Sequence, residues 1–398
     1  MDDNTLFAKK LTQASEIMSG LGIDAWLIFC RETALNPDPA TELLWDLAVI
    51  WPAAFVICAD GRRFATAVVH DVPTLQRTGL FSEILPFEKV PEETLPTLLQ
   101  HLDPANIALN YSEENVAADG LSHGLFLRLL RMLADTPLSE RFCSAEKLIG
   151  LLRQRKLDCE MRRLLTAAET ADGIFSAFGE RLHPGLSETE MADLFREQMT
   201  ALGVEPSWDA HMCPNINAGP NTGRGHMGPR PDVVIERGHI LNVDFGVKQA
   251  GYSSDQQRMW YLLREGETNA PAAVQEPFDA VVGAIQAGFR ALQPGIPGCK
   301  VDAAARAYLV SRGYPEYLHA LGHNVGRYAH DGGEAMLCPP WPSYGARAHN
   351  LLEHNQLLTL ELGIWTDDGY FGLEEEALIT EDGARWFWPP QTELRLIG

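Results

Sequence analysis

Asn242-Val243-Asp244-Phe245-Gly246 runs into a turn at Gln249-Ala250 and returns to Asp255, and Leu360-Glu361-Leu362-Gly363 runs through Asp367-Asp368-Gly369 and returns to Glu374. Each segment has the form of a β-hairpin with one carboxylate on either arm, symmetric about its turn. The spacing predicts Asp244 opposite Asp255 and Glu361 opposite Glu374, with Cβ atoms about 5 Å apart. Like charges so placed repel. Four such acids converging with a histidine from elsewhere in the chain are best accounted for by a pair of divalent cations between them, the arrangement of a two-metal hydrolase.

Strand alternation says which neighbours share that site: Asn242, Asp244 and Gly246 on one face, and Thr359, Glu361, Gly363 and Trp365 on the equivalent face of the second hairpin. The glycines leave room for a ligand. His319-Ala320-Leu321-Gly322-His323-Asn324-Val325-Gly326 lies between the hairpins, and His323 adds a nitrogen to an otherwise oxygen-rich site.

Around the hairpins the chain echoes itself. His183-Pro184-Gly185-Leu186 and Gln293-Pro294-Gly295-Ile296 each open a helix, and those helices end at Gly203 and Gly313. Ser187 with Glu190 makes a capping box for the first. Two α+β halves related by a pseudo-twofold would face their sheets together and bring both acid pairs to one centre. Upstream, Met161, Leu164, Leu165, Ala168, Ile174, Phe175 and Phe178 mark a long amphipathic helix that follows the charged stretch Arg153 to Asp158. The domain boundary is placed there, giving residues 1–154 and 155–398. The first part alternates helices and strands: Phe7, Leu11, Ala14, Met18 and Leu21 at helical spacing, apolar strands at Ala25–Cys30 and Ala53–Cys58, and Arg63–Val69 after an Asp60-Gly61 turn. A strand near Asn106–Leu109 and a helix through Gly120–Leu133 complete an α/β layer.

A length of 398 residues suits two domains, each with ample apolar content. The formal charge of −22 argues against nucleic acid and against an anionic membrane surface, both of which need a basic footprint. Seven cysteines with no Cys-x-x-Cys spacing indicate reduced thiols. The start, Met-Asp-Asp-Asn-Thr, has no leader pattern and no later segment approaches a membrane span, so a cytoplasmic enzyme is expected.

With these residues in view, the sequence resembles the pita-bread metallopeptidases, the family of methionine aminopeptidases, Xaa-Pro aminopeptidases and prolidases. The resemblance covers essentially the whole chain and is similar to the prolidase and aminopeptidase P branch. It implies an α+β fold, with a C-terminal pseudo-twofold pita-bread catalytic domain after an α/β creatinase-like N-terminal domain. It also implies five metal ligands: Asp244; Asp255 within Ser-Asp-x-x-Arg ending at Arg258; His323; Glu361; and Glu374 ahead of Ala-Leu-Ile-Thr. Asp244 would chelate one ion, His323 and Glu361 the other, and Asp255 with Glu374 would bridge both. Two divalent ions are implied, with Mn²⁺ first and Co²⁺ or Zn²⁺ as alternatives. Glu361 would shuttle the proton, His226 and His330 would hold the peptide and stabilise the tetrahedral intermediate, and His319 would line the proline-side pocket.

The family usually has proline after the first glutamate and tyrosine four residues after it, where this chain has Leu362 and Trp365. Its arginine two residues before the last glutamate is replaced by Gly372. The expected substrates are proline-containing di- or short peptides. An Xaa-Pro dipeptidase is favoured over an Xaa-Pro aminopeptidase because Arg347 stands fourteen residues before the first glutamate, where prolidases carry an arginine for the substrate carboxylate. A creatinase-like hydrolase working without metal and a non-catalytic binding module are the remaining readings, and both normally lose ligand residues. The family further implies a homodimer, with Trp45, Trp51 and the loop Arg31–Thr41 as candidates to roof the partner's site.

Overall fold

In this computed structural model, residues 3–45, 47–223 and 227–398 are described. The N-terminal helix Asp3–Leu21 buries Leu6, Phe7, Leu11, Ala14 and Met18 at three- and four-residue spacing, and Gly22 ends it with φ +69°. Six strands follow: β1 (Ala25–Cys30), β2 (Ala53–Cys58), β3 (Arg63–Val68), β4 (Glu83–Phe87), β5 (Ile107–Leu109) and β6 (Phe142–Ser144). They form one mixed sheet in the order β4-β3-β2-β1-β5-β6. The helix expected from Gly120 begins only at His123, with Ser122 capping the amide of Leu125. Gly120 is occupied otherwise: its N–H donates to Asn110, and a Cβ there would meet the Asp38 carboxylate and the Pro39 ring. Trp45 is 1% exposed and packs 4.5 Å from Phe55, so it is a core residue and no part of a roof. Trp51 is exposed.

The chain separates into the units Met1–Arg153 and Gln154–Gly398. The second holds β7 (Glu205–Pro206), β8 (Asn215–Ala218), β9 (Ile240–Phe245), β10 (Val247–Gln249), β11 (Tyr252–Ser253) and β12 (Gln256–Leu262), then β13 (Leu357–Thr366), β14 (Gly369–Thr380), β15 (Gly383–Trp386) and β16 (Arg395–Ile397). A seven-stranded sheet follows the path β13-β14-β12-β9-β8, with β15 added to β14 and β16 to β12, and β11-β10-β7 make a small separate sheet.

Two helix pairs back the two hairpins. Phe175 and Phe178 of the helix Asp158–Arg181 and Phe195 of the helix Glu188–Leu202 share a core with Leu241, Val243 and Phe245. Phe278 and Val281 of the helix Ala272–Ala291 and Leu309 of the helix Gly298–Ser311 share one with Leu358, Leu360 and Leu362. With alternate strand residues committed to the helices, Asn242, Asp244, Thr359, Glu361 and Gly363 are left for the opposite faces. Leu165 is 40% exposed while its neighbour Leu164 is buried, since adjacent helical positions cannot share one face.

The echo between the halves extends to hydrogen bonds. The N–H of Gly185 donates to Ile235 and that of Gly295 to Leu352, both at 2.8 Å, and the return bonds Ile235 to Leu186 and Leu352 to Ile296 are both 2.9 Å. Ser187 and Glu190 form the expected capping box, whereas Pro297 in the corresponding place makes no side-chain cap. No helix among the described residues is long and apolar enough to cross a membrane.

Candidate metal centre

β13 and β14 form an unbroken antiparallel ladder, and Glu361 stands directly opposite Glu374 across the expected turn at Asp367-Asp368. The first hairpin departs from expectation. Lys248 pairs with Ser253 and Gln249 with Tyr252, which puts the turn at Ala250-Gly251 instead of Gln249-Ala250. Both central residues have positive φ, +49° and +76°, as a two-residue type I′ turn requires. A turn shifted by one residue shifts every cross-strand partner by two, so Asp244 faces Gln257, not Asp255. Gln257 in turn faces Glu374, and Asn215 faces Asp244. Glu361, Glu374, Gln257, Asp244 and Asn215 therefore form one row across five strands, with neighbouring Cβ atoms about 5 Å apart.

Asp255 reaches the row by another route. Gly246 interrupts the ladder between β9 and β10, where a Cβ would collide with the Ser254 carbonyl and lie 2.8 Å from Ser207 Oγ; this backbone approach admits only glycine. Asp255 falls just before β12 and donates its N–H to Glu376 Oε1 at 3.0 Å. His323 arrives on a segment laid beside β13: the N–H of Glu361 donates to Leu321, that of Thr359 to His323, and the amide of His323 to Thr359 Oγ1. Gly322 permits this contact, because a Cβ there would strike the Thr359 carbonyl.

The result is a tight cluster. His323 Nε2 lies 3.5 Å from Glu374 Oε1, 3.6 Å from Glu361 Oε1 and 3.8 Å from Asp255 Oδ2, and one ligand atom from each of Asp255, His323 and Glu374 lies within 4.8 Å of the others. His323 Nδ1 is 3.5 Å from the Asn324 carbonyl, and Nε2 is the ring nitrogen turned to the acids. Burial, then the charge of Glu374, raises the carboxyl pKa of Asp244 and of Glu361. Asp255 is raised by burial first and then by Glu374, Asp244, Glu361 and Glu376. Asp244 Oδ1 and Glu374 Oε1 are buried without a hydrogen-bond partner. Crowded acid oxygens lacking donors, beside an imidazole nitrogen, fit divalent cations.

A chain of amides supports the row. Asn217 Nδ2 donates to Asn242 Oδ1 at 2.9 Å, Asn242 Nδ2 to Gln257 Oε1 at 3.2 Å, and Gln257 Nε2 to Glu374 Oε2 at 3.2 Å. Arg258 Nη1 donates to the Glu374 carbonyl and to Glu375 Oε1. Sequence reading missed Asn217, Gln257 and Glu376. For Gln257 the signal was the register of the first turn, which decides what faces Asp244.

Of the other expected residues, His330 is exposed with its ring edge-on to His323, centroids 4.2 Å apart. His319 is partly buried, holds Nδ1 2.7 Å from the Ala320 carbonyl, and has its imidazole pKa lowered, chiefly by burial. Trp365 faces Tyr370 across the hairpin. Arg347 is partly buried in the 3-10 turn Pro342–Ala348, near enough to Cys338 for its charge to act on that thiol. His226 lies outside the described residues.

A sheet of paired carboxylates backed by two helix pairs defines a class, and the comparison with known proteins agrees. The model of metallopeptidase family M24 matches residues 162–381, more than half of the chain, and the chain belongs to that family. A Xaa-Pro dipeptidase of Lactobacillus delbrueckii subsp. lactis is 27% identical over 293 residues, 72% of this chain and 73% of that protein. An uncharacterized peptidase of Bacillus subtilis is 27% identical over 282 residues, 70% and 73% of the two chains. Among solved structures, the Xaa-Pro dipeptidase from Bacillus anthracis superposes with a TM-score of 0.76 at 22% identity, covering 98% of this chain and 100% of its own. The X-Pro aminopeptidase from Thermotoga maritima gives 0.74 at 21% identity, covering 97% and 100%. The C-terminal unit thus has the pita-bread fold.

Proposed function

We propose that this chain is a two-metal peptidase that hydrolyses Xaa-Pro bonds, with dipeptides as its preferred substrates. The observation that carries the reading is the approach of His323 Nε2 to oxygens of Asp255, Glu361 and Glu374 from three separate parts of the chain. The names of the relatives supply the substrate class, as Xaa-Pro dipeptidases recur among them. In this reading Asp244, Asp255, His323, Glu361 and Glu374 would hold the two ions, with Asp255 and Glu374 shared between them as the family resemblance implies. When bound, two divalent ions supply Lewis-acid polarisation of the scissile carbonyl and activate water near neutral pH, with manganese the first candidate. Glu361, whose side chain is 23% exposed, is the carboxylate able to take a proton and pass it to the leaving amine. His330, at the open edge beside His323, donates to the peptide, and His226 is assigned with it by resemblance. His319, kept neutral by its burial, lines the proline side. Arg347 pairs with the free carboxylate of a dipeptide.

Cleavage of Ala-Pro and Ala-Pro-Ala, side by side with added Mn²⁺ and with chelator, tests this. Metal-dependent turnover favouring Ala-Pro is expected. Preference for Ala-Pro-Ala would make the chain an aminopeptidase, and no turnover of either would end the reading.

A further inference from the structure

Gly363 and Gly372 face each other across β13 and β14, two residues from Glu361 and Glu374 and on the same face. Neither strand contributes a side chain there, so the carboxylate row continues as a groove floored by backbone. The groove is filled by Tyr370, two residues before Gly372. A Cβ on Gly363 would strike the Tyr370 hydroxyl, and one on Gly372 would lie 2.8 Å from Cζ and 2.9 Å from the hydroxyl oxygen. The ring therefore runs along the strand pair with its hydroxyl end toward the glutamates, and the Trp365 indole packs against it with centroids 5.1 Å apart. Among the described residues the hydroxyl has no hydrogen-bond partner. Two of the three positions at which this chain leaves the family pattern, Trp365 and Gly372, are thus neighbours that shape the groove.

We infer that Tyr370 is a further residue of the reaction centre, its phenol laid over Gly363 and Gly372 so that the O–H donates to the substrate oxygen that gains charge during hydrolysis. A donor fixed in place before the reaction needs no reorganisation when charge develops. Burial first, then the charges of Glu361, Asp244 and Glu374, raises the phenol pKa. The inference rests on the two-metal peptidase reading and adds to it a phenol donor beside the carboxylate row.

Tyr370→Phe keeps the ring and removes the donor. It is expected to lower kcat on Ala-Pro by about 10²-fold with little change in KM, at unchanged metal content and melting temperature. A second readout needs no turnover: adding Mn²⁺ to chelated protein should perturb the tyrosine near-ultraviolet absorption, and Tyr370→Phe should remove most of that difference spectrum. Gly363→Ala should displace the phenol and reproduce the loss, but cost little more when combined with Tyr370→Ala. Unchanged kcat in Tyr370→Phe overturns the donor role, even if the difference spectrum is lost. Losses that multiply in Gly363→Ala with Tyr370→Ala overturn the groove. Failure of the wild-type enzyme on both peptides would instead defeat the peptidase reading, while the difference spectrum would still report on Tyr370.

Discussion

The two acid hairpins occupy equivalent places in the two halves of the catalytic unit but are built differently. The second is a continuous ladder whose glutamates oppose each other. The first is cut at Gly246, folds its tip into a separate three-stranded sheet, and sets a neutral amide, Gln257, where symmetry with Glu374 would put an acid. The offset keeps Asp255 out of the row yet within reach of His323. A perfectly symmetric pair of hairpins would crowd four carboxylates into one line, and the break distributes them around a volume, with an amide donor for one Glu374 oxygen.

The largest effect should come from the two acids assigned as bridges. Asp255→Ala and Glu374→Ala are each expected to lower kcat/KM by at least about 10³-fold and to lose one or both metal equivalents, measured by kinetics with elemental analysis. A mild loss in one hairpin only would show that the halves do not share the ions. Next comes the amide. Gln257→Ala deletes a hydrogen bond to a charged group, about 1.5–3 kcal/mol, and should lower the stability of chelated protein in denaturant unfolding by that order. Restoring symmetry with Gln257→Glu should destabilise the chelated protein more than the metal-bound form.

The pH dependence sharpens the comparison further. Glu376, which accepts the Asp255 amide, is pushed by burial up to about 8, above its ordinary 4.5. A pKa raised on folding contributes stability that is whole below the unfolded value and lost as pH rises through the folded one. Chelated protein should therefore melt lower at pH 8.5 than at pH 5.5, judged from 4.5 and 8 as the ends of the window, and Glu376→Gln should flatten that slope. The smallest effect is expected at the turn. Ala250 holds φ +49°, which costs a residue with a Cβ about 1 kcal/mol, so Ala250→Gly should raise stability by about 0.5 kcal/mol after the entropy of the unfolded glycine is counted. Destabilisation would mean the turn is not what sets the register.

Periodicity and residue type made most of this architecture readable. The buried runs at Ala25–Cys30 and Ala53–Cys58, the helix from Asp158 and the paired Pro-Gly helix entries carry strong apolar or turn signals. The second acid pair was readable because Asp-Asp-Gly marks its turn unambiguously. The first was misplaced because Gln249, Ala250 and Gly251 offer two candidate turns, and only backbone dihedrals decide between them. Tyr370 was invisible for a different reason: its place depends on two absent side chains on two strands, which no one-dimensional pattern registers. Trp45 was misread because an aromatic at a loop edge is indistinguishable from one that folds back onto Phe55.

The row across five strands has one further consequence. β12 and β14, which join the two halves, share a single ladder pair, Gln257 with Glu374, and the rest of the seam is side-chain contact such as Asn242 to the Gly372 carbonyl and Asp255 to Glu376. Few backbone bonds resist its parting, so cations held between the halves would act as rivets. Opening of the seam and release of the ions would become one equilibrium, each tenfold rise in free cation above its dissociation constant opposing opening by about 1.4 kcal/mol for each ion released. Amide exchange at Gln257 and Glu374 would then be a gauge of cation concentration, readable with no substrate present.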